Sequence, residues 1–408
     1  MRDFPMYVTP ARILHALFVL IAGLLIQSYL DPARAYNAPP VDTRYNVSEK
    51  ELNGPPGTIV RIWAPPVGWD VPGMHSFRIL YRSRGLKGEP IAVSGAIFFP
   101  HGPAPEGGRR IIAWAHPTTG VATRCAPTLV QNLRLTVEGM AEMAREGYVV
   151  VATDYPGLGA PGTHPYLISE SEGRALLDSV RAARKVPNSG AGDKFALWGH
   201  SQGGHAVLAA GHIAASYAPE LDLVGIAAAA PATDLIALFD ADRNTSSGAY
   251  LSSLALWSWS RIFNQPLSKT VQESTMRAFE ETATDCIQDL SEFLMERRAD
   301  KVLRDGFMKV NPTKAEPWRS IMSRNSPGPT PRRIPIFIAQ GTADTTVSPR
   351  ITYAYVRKLC RHGSSVLFKE MEGVQHIYAA RHSSRAAVAW MGARFRGERA
   401  PNDCARIR

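Results

Sequence analysis

Lys194-Phe195-Ala196-Leu197-Trp198-Gly199-His200-Ser201-Gln202-Gly203-Gly204 carries a short apolar run into a G-x-S-x-G turn, and the small, apolar His205-Ala206-Val207-Leu208-Ala209-Ala210-Gly211 follows. A strand, a sharp elbow and a helix in that order lift a serine hydroxyl above the edge of a sheet, which makes Ser201 the candidate nucleophile. At an elbow this tight, strand and helix approach so closely that side chains two residues either side of the serine would clash, so Gly199 and Gly203 are required there. The helix that follows points free N–H groups and a positive dipole end at the serine. The Gln202 amide is therefore a candidate donor to a developing oxyanion.

Outward from the elbow, the chain alternates. Apolar strand-like runs at Arg110 to Ala115, Tyr148 to Ala152, Lys194 to Trp198 and Leu223 to Ala229 are separated by helical stretches at Leu133 to Arg145, Ser169 to Lys185 and Gln202 to Ala215. Runs without polar alternation are strands buried on both faces, so the order implies a mostly parallel sheet with helices on both faces. Thr58 to Trp63, Ser76 to Arg82 and Ile91 to Phe99 form an antiparallel edge before it. Ligands of such sheets bind outside the carboxyl ends of the strands. His116-Pro117-Thr118-Thr119-Gly120 falls at one such end, and because Pro117 has no N–H, Thr118 is the candidate second oxyanion donor.

The alternation stops between residues 235 and 333, a stretch far longer than an ordinary connection, and the segment reads as an inserted helical cap. Core strands resume at Ile334 to Ala339 and Ser365 to Met371, dividing the core into residues 36–234, with an extended N-terminal arm, and residues 334–408. Asp344 lies just past the first of these strands and His376 past the second. The chain order Ser201, Asp344, His376 is the order a triad takes on this strand pattern. Asp234 competes with Asp344, and His362 and His382 with His376, though neither histidine directly follows a strand. Within the cap, Tyr250, Leu251, Leu254, Trp257 and Phe263 recur at helical spacing, and of these Tyr250, Leu254 and Trp257 are candidate substrate contacts lining an acyl channel for medium-length chains.

The composition is that of a globular protein, with 45% hydrophobic and 20% charged residues, and 33 Gly and 31 Pro that make many turns. The net charge of +10 is spread thinly, without a basic run or interleaved aromatics, which argues against a nucleic-acid partner. Residues 1–35 read as a signal peptide, with Arg12, the apolar run Ile13 to Ile26 and the cleavage site Ala33-Arg34-Ala35. Export places Cys125, Cys286, Cys360 and Cys404 in an oxidising compartment, where four cysteines form two disulfides in one of three pairings. None has the spacing of a zinc site.

His116-Pro-Thr-Thr-Gly with Cys125-Ala-Pro behind it, Asp154-Tyr-Pro-Gly-Leu-Gly, the elbow, the helical insertion, Gly341-Thr-Ala-Asp and Gly373-x-x-His together resemble the secretory lipase family of α/β hydrolases. The resemblance covers roughly Pro55 to Cys404 and departs at the elbow, where fungal members tend to have G-Y-S-G-G. It implies an α/β-hydrolase fold and a secreted or periplasmic ester hydrolase whose triad is Ser201, Asp344 and His376. No cofactor or metal is implied. The partners are an ester substrate, soluble or lipid, and transiently a lipid interface; the oligomeric state is left open. On that fold the expected disulfides are Cys125 with Cys286, pinning the cap beside the oxyanion loop, and Cys360 with Cys404.

Overall fold

A computed structural model describes residues 42–287, 303 and 306–407. The expected signal peptide, the first part of the arm and most of the charged stretch Glu292 to Asp305 lie outside the described residues. Nine strands form one sheet: β1 (Ile59–Trp63), β2 (Met74–Arg84), β3 (Pro90–Pro100), β4 (Arg109–Ala115), β5 (Val149–Thr153), β6 (Ala191–His200), β7 (Asp222–Ala229), β8 (Ile336–Gly341) and β9 (Val366–Met371). Their spatial order is β1-β2-β3-β5-β4-β6-β7-β8-β9. The first three strands pair antiparallel with each other and β3 with β5; all pairs from β5 to β9 are parallel. This is an α/β-hydrolase fold, and β6, which delivers Ser201, runs between β4 and β7.

The helices are α1 (Glu49–Leu52), α2 (Met140–Arg145), α3 (Ser169–Ala183), α4 (Gln202–Tyr217), α5 (Leu235–Ala241), α6 (Ser246–Ile262), α7 (Met276–Thr284), α8 (Trp318–Asn325), α9 (Pro349–His362) and α10 (Ala379–Phe395). Alternation along each strand splits the core into two layers. Ile111, Ala113 and Leu197 meet Leu176, Val180, Val207 and Leu359 of α3, α4 and α9 on one face. On the other, Ile112, Trp114 and Trp198 meet Met143 of α2 and Val388, Met391 and Phe395 of α10.

One expected helix is shorter than its sequence. Leu133–Leu135 is a single 3₁₀ turn, and α2 starts only at Met140, because Gly139 sits at φ 87° and interrupts the run. Between β7 and β8 the chain passes through α5 to α8, which share an apolar core of their own built on Leu254, Trp259, Phe279, Phe307, Trp318 and Met322. Cys125 is bonded to Cys286 and Cys360 to Cys404, the pairing expected. Among the described residues no helix is long and apolar enough to cross a membrane.

Candidate active site

Ser201 occupies the turn between β6 and α4 with φ 56° and ψ −115°, a strained backbone for a residue with a Cβ. The flanking glycines permit it. A Cβ on Gly203 would lie 1.9 Å from the Ala115 carbonyl oxygen, and one on Gly199 would lie 2.2 Å from that of Gly203. The Ser201 carbonyl accepts from His205 N–H at 3.0 Å, so the elbow continues directly into the first turn of α4.

Two loops complete the arrangement. The Ser201 hydroxyl donates to His376 Nε2 at 2.9 Å, and His376 Nδ1–H donates to Asp344 Oδ2 at 2.8 Å. Asp344 also accepts from Gln340 Nε2 at 2.9 Å and, through Oδ1, from the N–H groups of Thr346 at 2.9 Å and Val347 at 2.7 Å. Burial alone would raise its pKa, but the His376 imidazole and these donors outweigh it and hold the carboxyl below its ordinary value. Asp234, the rival acid, instead caps α5 by accepting from Ala237 N–H at 3.0 Å. His362 ends α9 and His382 lies exposed on α10, so neither joins the chain of hydrogen bonds.

His200, the residue before the nucleophile, has a role that the motif does not disclose. Its Nε2–H donates to the His376 backbone carbonyl at 2.9 Å, 176 positions away in sequence, and the two rings lie 5.0 Å apart. Burial, then the neighbouring His376, lowers its pKa to about 3, which keeps it neutral.

The expected oxyanion donors lie on two segments, Gln202 directly after the serine at the start of α4 and Thr118 in the loop after β4. Among the described residues, the backbone N–H groups of Gln202 and Thr118 donate to no protein acceptor. Thr118 is further held through its hydroxyl, 2.8 Å from the Tyr166 hydroxyl. Gln202 is anchored from below: its side-chain Nε2 donates to Glu172 Oε1 at 2.7 Å and to His164 Nε2 at 3.1 Å. Glu172 is fully buried and also takes His205 Nδ1 at 2.7 Å and the Leu167 N–H at 3.0 Å. Sequence reading missed Glu172, His164 and Tyr166, because α3 and the loop before it carry no motif and matter only through what folds against them. The Asp154 turn is structural: its buried carboxyl, pushed up to about 6 by burial against its hydrogen bonds, takes Ser94 Oγ at 2.6 Å and the Thr128 N–H at 3.0 Å.

A cavity of about 50 Å³ opens beside Ser201 and Gln202, walled by Tyr166, Leu167, Leu235, Leu238, Phe239 and Leu251, with Asp242 and Val347 at its margin. The candidate contacts Tyr250, Leu254 and Trp257 do not line this cavity. Leu254 is fully buried in the core of the inserted helices. Tyr250 is turned away, its hydroxyl donating to the Asp285 carbonyl at 3.2 Å. Trp257 donates to Glu280 Oε2 at 2.7 Å with the Arg261 guanidinium 3.8 Å from its ring centroid. Of the apolar repeat on α6, Leu251 reaches the cavity, with Ser252 beside it. Among the described residues no group of three or more His, Cys, Asp or Glu side chains is gathered as a metal ion would need.

A serine, histidine and carboxylate in one hydrogen-bonded chain at the strand ends of this sheet define the site of an α/β hydrolase. The chain belongs to the secretory lipase family, whose sequence pattern matches residues 128–403. Lipase 1 of Candida albicans is 24% identical over 419 aligned residues, covering 95% of this chain and 86% of the relative. A probable inactive lipase of Mycobacterium tuberculosis is also 24% identical, over 84% of this chain and 79% of its own. Among solved structures, Candida antarctica lipase A in its closed state superposes with a TM-score of 0.74 at 20% identity, covering 87% of this chain and 86% of the other. The rice cell wall degrading esterase LipA of Xanthomonas oryzae gives a TM-score of 0.68 at 21% identity, covering 85% of this chain and all of that one. Family and fold together make the protein an ester hydrolase.

Proposed function

We propose that the protein is an exported serine hydrolase that cleaves carboxylic esters through an acyl-enzyme. The observation that carries this reading is the unbroken chain from Ser201 Oγ through His376 to Asp344. His376 takes the Ser201 proton as the hydroxyl attacks the ester carbonyl, and Asp344, held ionised, orients the imidazole and stabilises its charged form. The Gln202 and Thr118 amides receive the oxyanion, each kept in place by a side chain bonded to the surrounding protein. His376 then protonates the leaving alcohol, and water cleaves the acyl-enzyme by the same steps in reverse roles.

The acyl group occupies the cavity under Leu238 and Leu251. At about 50 Å³ the cavity is small, so short acyl groups are the substrates that fit this conformation. The test is labelling by a fluorophosphonate of the protein recovered from the growth medium with Tyr36 at its N-terminus. Stoichiometric labelling at Ser201, lost in Ser201→Ala, is expected; absence of labelling in the folded wild-type protein would overturn the reading.

A further inference from the structure

The cavity beside Ser201 is lined mostly by apolar side chains, with the hydroxyls of Tyr166, Ser252 and Thr346 among them, and carries a single carboxyl group, that of Asp242. Asp242 immediately follows α5, and its backbone is committed on both sides. Its N–H donates to the Leu238 carbonyl at 3.0 Å, and its carbonyl accepts from the N–H and the hydroxyl of Thr245, each at 2.9 Å. Gly248 at the start of α6 packs directly on it, since a Cβ there would lie 1.9 Å from the Asp242 carbonyl oxygen. The half-buried residue is thus fixed at the cavity by its own main chain, and its carboxyl oxygens accept from no protein donor among the described residues, so water is what they meet when the cavity is empty.

An unpartnered carboxyl on an apolar wall is costly when charged, unless something that enters the cavity supplies the missing donor. The groups facing it offer little relief. Burial pushes its pKa up to about 7, the Asp344 charge on the loop after β8 adds to that, and His376 after β9 pulls the other way. The carbonyl end of α5 also disfavours negative charge there. Tyr166, across the cavity, stays neutral because burial raises its pKa further still.

We propose that Asp242 determines acyl specificity, favouring acyl groups that carry a hydroxyl over plain alkyl groups of the same length. The proposal rests on the reading of this cavity as the acyl site of a serine hydrolase. A hydroxyl entering the cavity donates to the carboxylate and completes it, whereas a plain alkyl chain strips water from a charge and returns nothing. The discrimination therefore grows as Asp242 ionises, with rising pH. A hydrogen bond to a charged acceptor supports a ratio of about tenfold or more.

The experiment compares kcat/KM for methyl 3-hydroxybutyrate and methyl butyrate by pH-stat titration from pH 5.5 to 8.5, in wild type, Asp242→Asn and Asp242→Leu. Active protein is counted by fluorophosphonate labelling. The wild-type ratio should rise to about tenfold at the alkaline end. Asp242→Leu should bring it to unity at every pH, with faster butyrate hydrolysis, and Asp242→Asn should keep a smaller preference that no longer changes with pH. A wild-type ratio within about twofold of unity, or one unchanged in Asp242→Leu, overturns the proposal. If the wild type is not labelled at all, it is the serine-hydrolase reading that fails, so the two failures are told apart.

Discussion

At the scale of single residues, the site is a set of groups whose protonation is fixed by where they are buried. Asp344 stays charged because four donors surround it, and His200 stays neutral because it is buried and its one N–H is committed to the His376 carbonyl. Such a unit fails as a unit. Ser201→Ala or His376→Ala should each lower kcat by on the order of 10⁶, with little further loss in the double variant. Asp344→Asn should cost on the order of 10⁴, since the amide cannot hold the imidazole in the right tautomer. Steady-state kinetics with circular dichroism as a folding control checks both. Near-normal turnover in Asp344→Asn would show that Asp344 does not orient the imidazole for catalysis.

At the scale of elements, what matters is how the inserted helices meet the sheet. Close to the Cys125–Cys286 bond, the Ile287 N–H donates to the Thr119 carbonyl at 2.9 Å and Arg124 Nη2 donates to the Thr284 carbonyl at 2.6 Å. The bond therefore ties the end of α7 to the segment just after the loop that carries the proposed oxyanion donor Thr118. Its closed loop spans 161 residues and that of Cys360–Cys404 spans 44, which in the chain-entropy account stabilise by about 5 and 4 kcal/mol. Removing either pair should lower the unfolding temperature. Only Cys125→Ala/Cys286→Ala should also lower kcat, and equal kinetic effects from the two pairs would contradict the assignment.

The same reasoning separates the two sides of α6. Trp257→Ala removes a packed ring and its bond to Glu280, so it should reduce stability and the hydrolysis of all esters in parallel. Leu251→Ala enlarges the cavity itself and should move the optimum of a p-nitrophenyl ester series, short in wild type, towards longer chains. A wild-type optimum at eight carbons or more would place the acyl chain elsewhere.

At the scale of the whole molecule, burying several histidines makes stability depend on pH. Burial lowers the pKa of His116 to about 4 and those of His164 and His200 to about 3. Each therefore takes up a proton more readily in the unfolded chain than in the folded one, so stability is full above the unfolded value of about 6.5 and falls as pH drops below it. Asp344, with its lowered pKa, acts in the same direction under more acid conditions. Asp154, raised to about 6, and Asp242, raised to about 7, act oppositely, because their protonated forms are favoured in the fold and their contributions are lost as pH rises from about 4 through those values. Three histidines with strongly lowered values outweigh these two aspartates with raised ones. The unfolding temperature should be level above pH 7 and decline steadily from pH 6.5 to pH 4, as scanning calorimetry would show. A temperature that rises on acidification would mean that the buried carboxyls dominate.

Much of this protein was legible in the chain itself. Period and composition marked the parallel strands, because strands buried on both faces must be apolar throughout. The elbow marked Ser201, because only glycines fit beside it, and chain order on the strand ends marked Asp344 and His376. The disulfide pairing followed once the cysteines were placed on that fold. Tertiary structure alone decided what depends on contact between distant segments. His200 reaches a carbonyl 176 positions away, Glu172 gathers Gln202, His205 and the Leu167 amide from three segments, and the cavity takes Leu251 rather than Leu254 or Trp257. A helical repeat says which residues share a side, but an inserted helix packed between its own core and the active site has apolar neighbours on both. Which side faces the serine is settled by packing, and packing has no local signature.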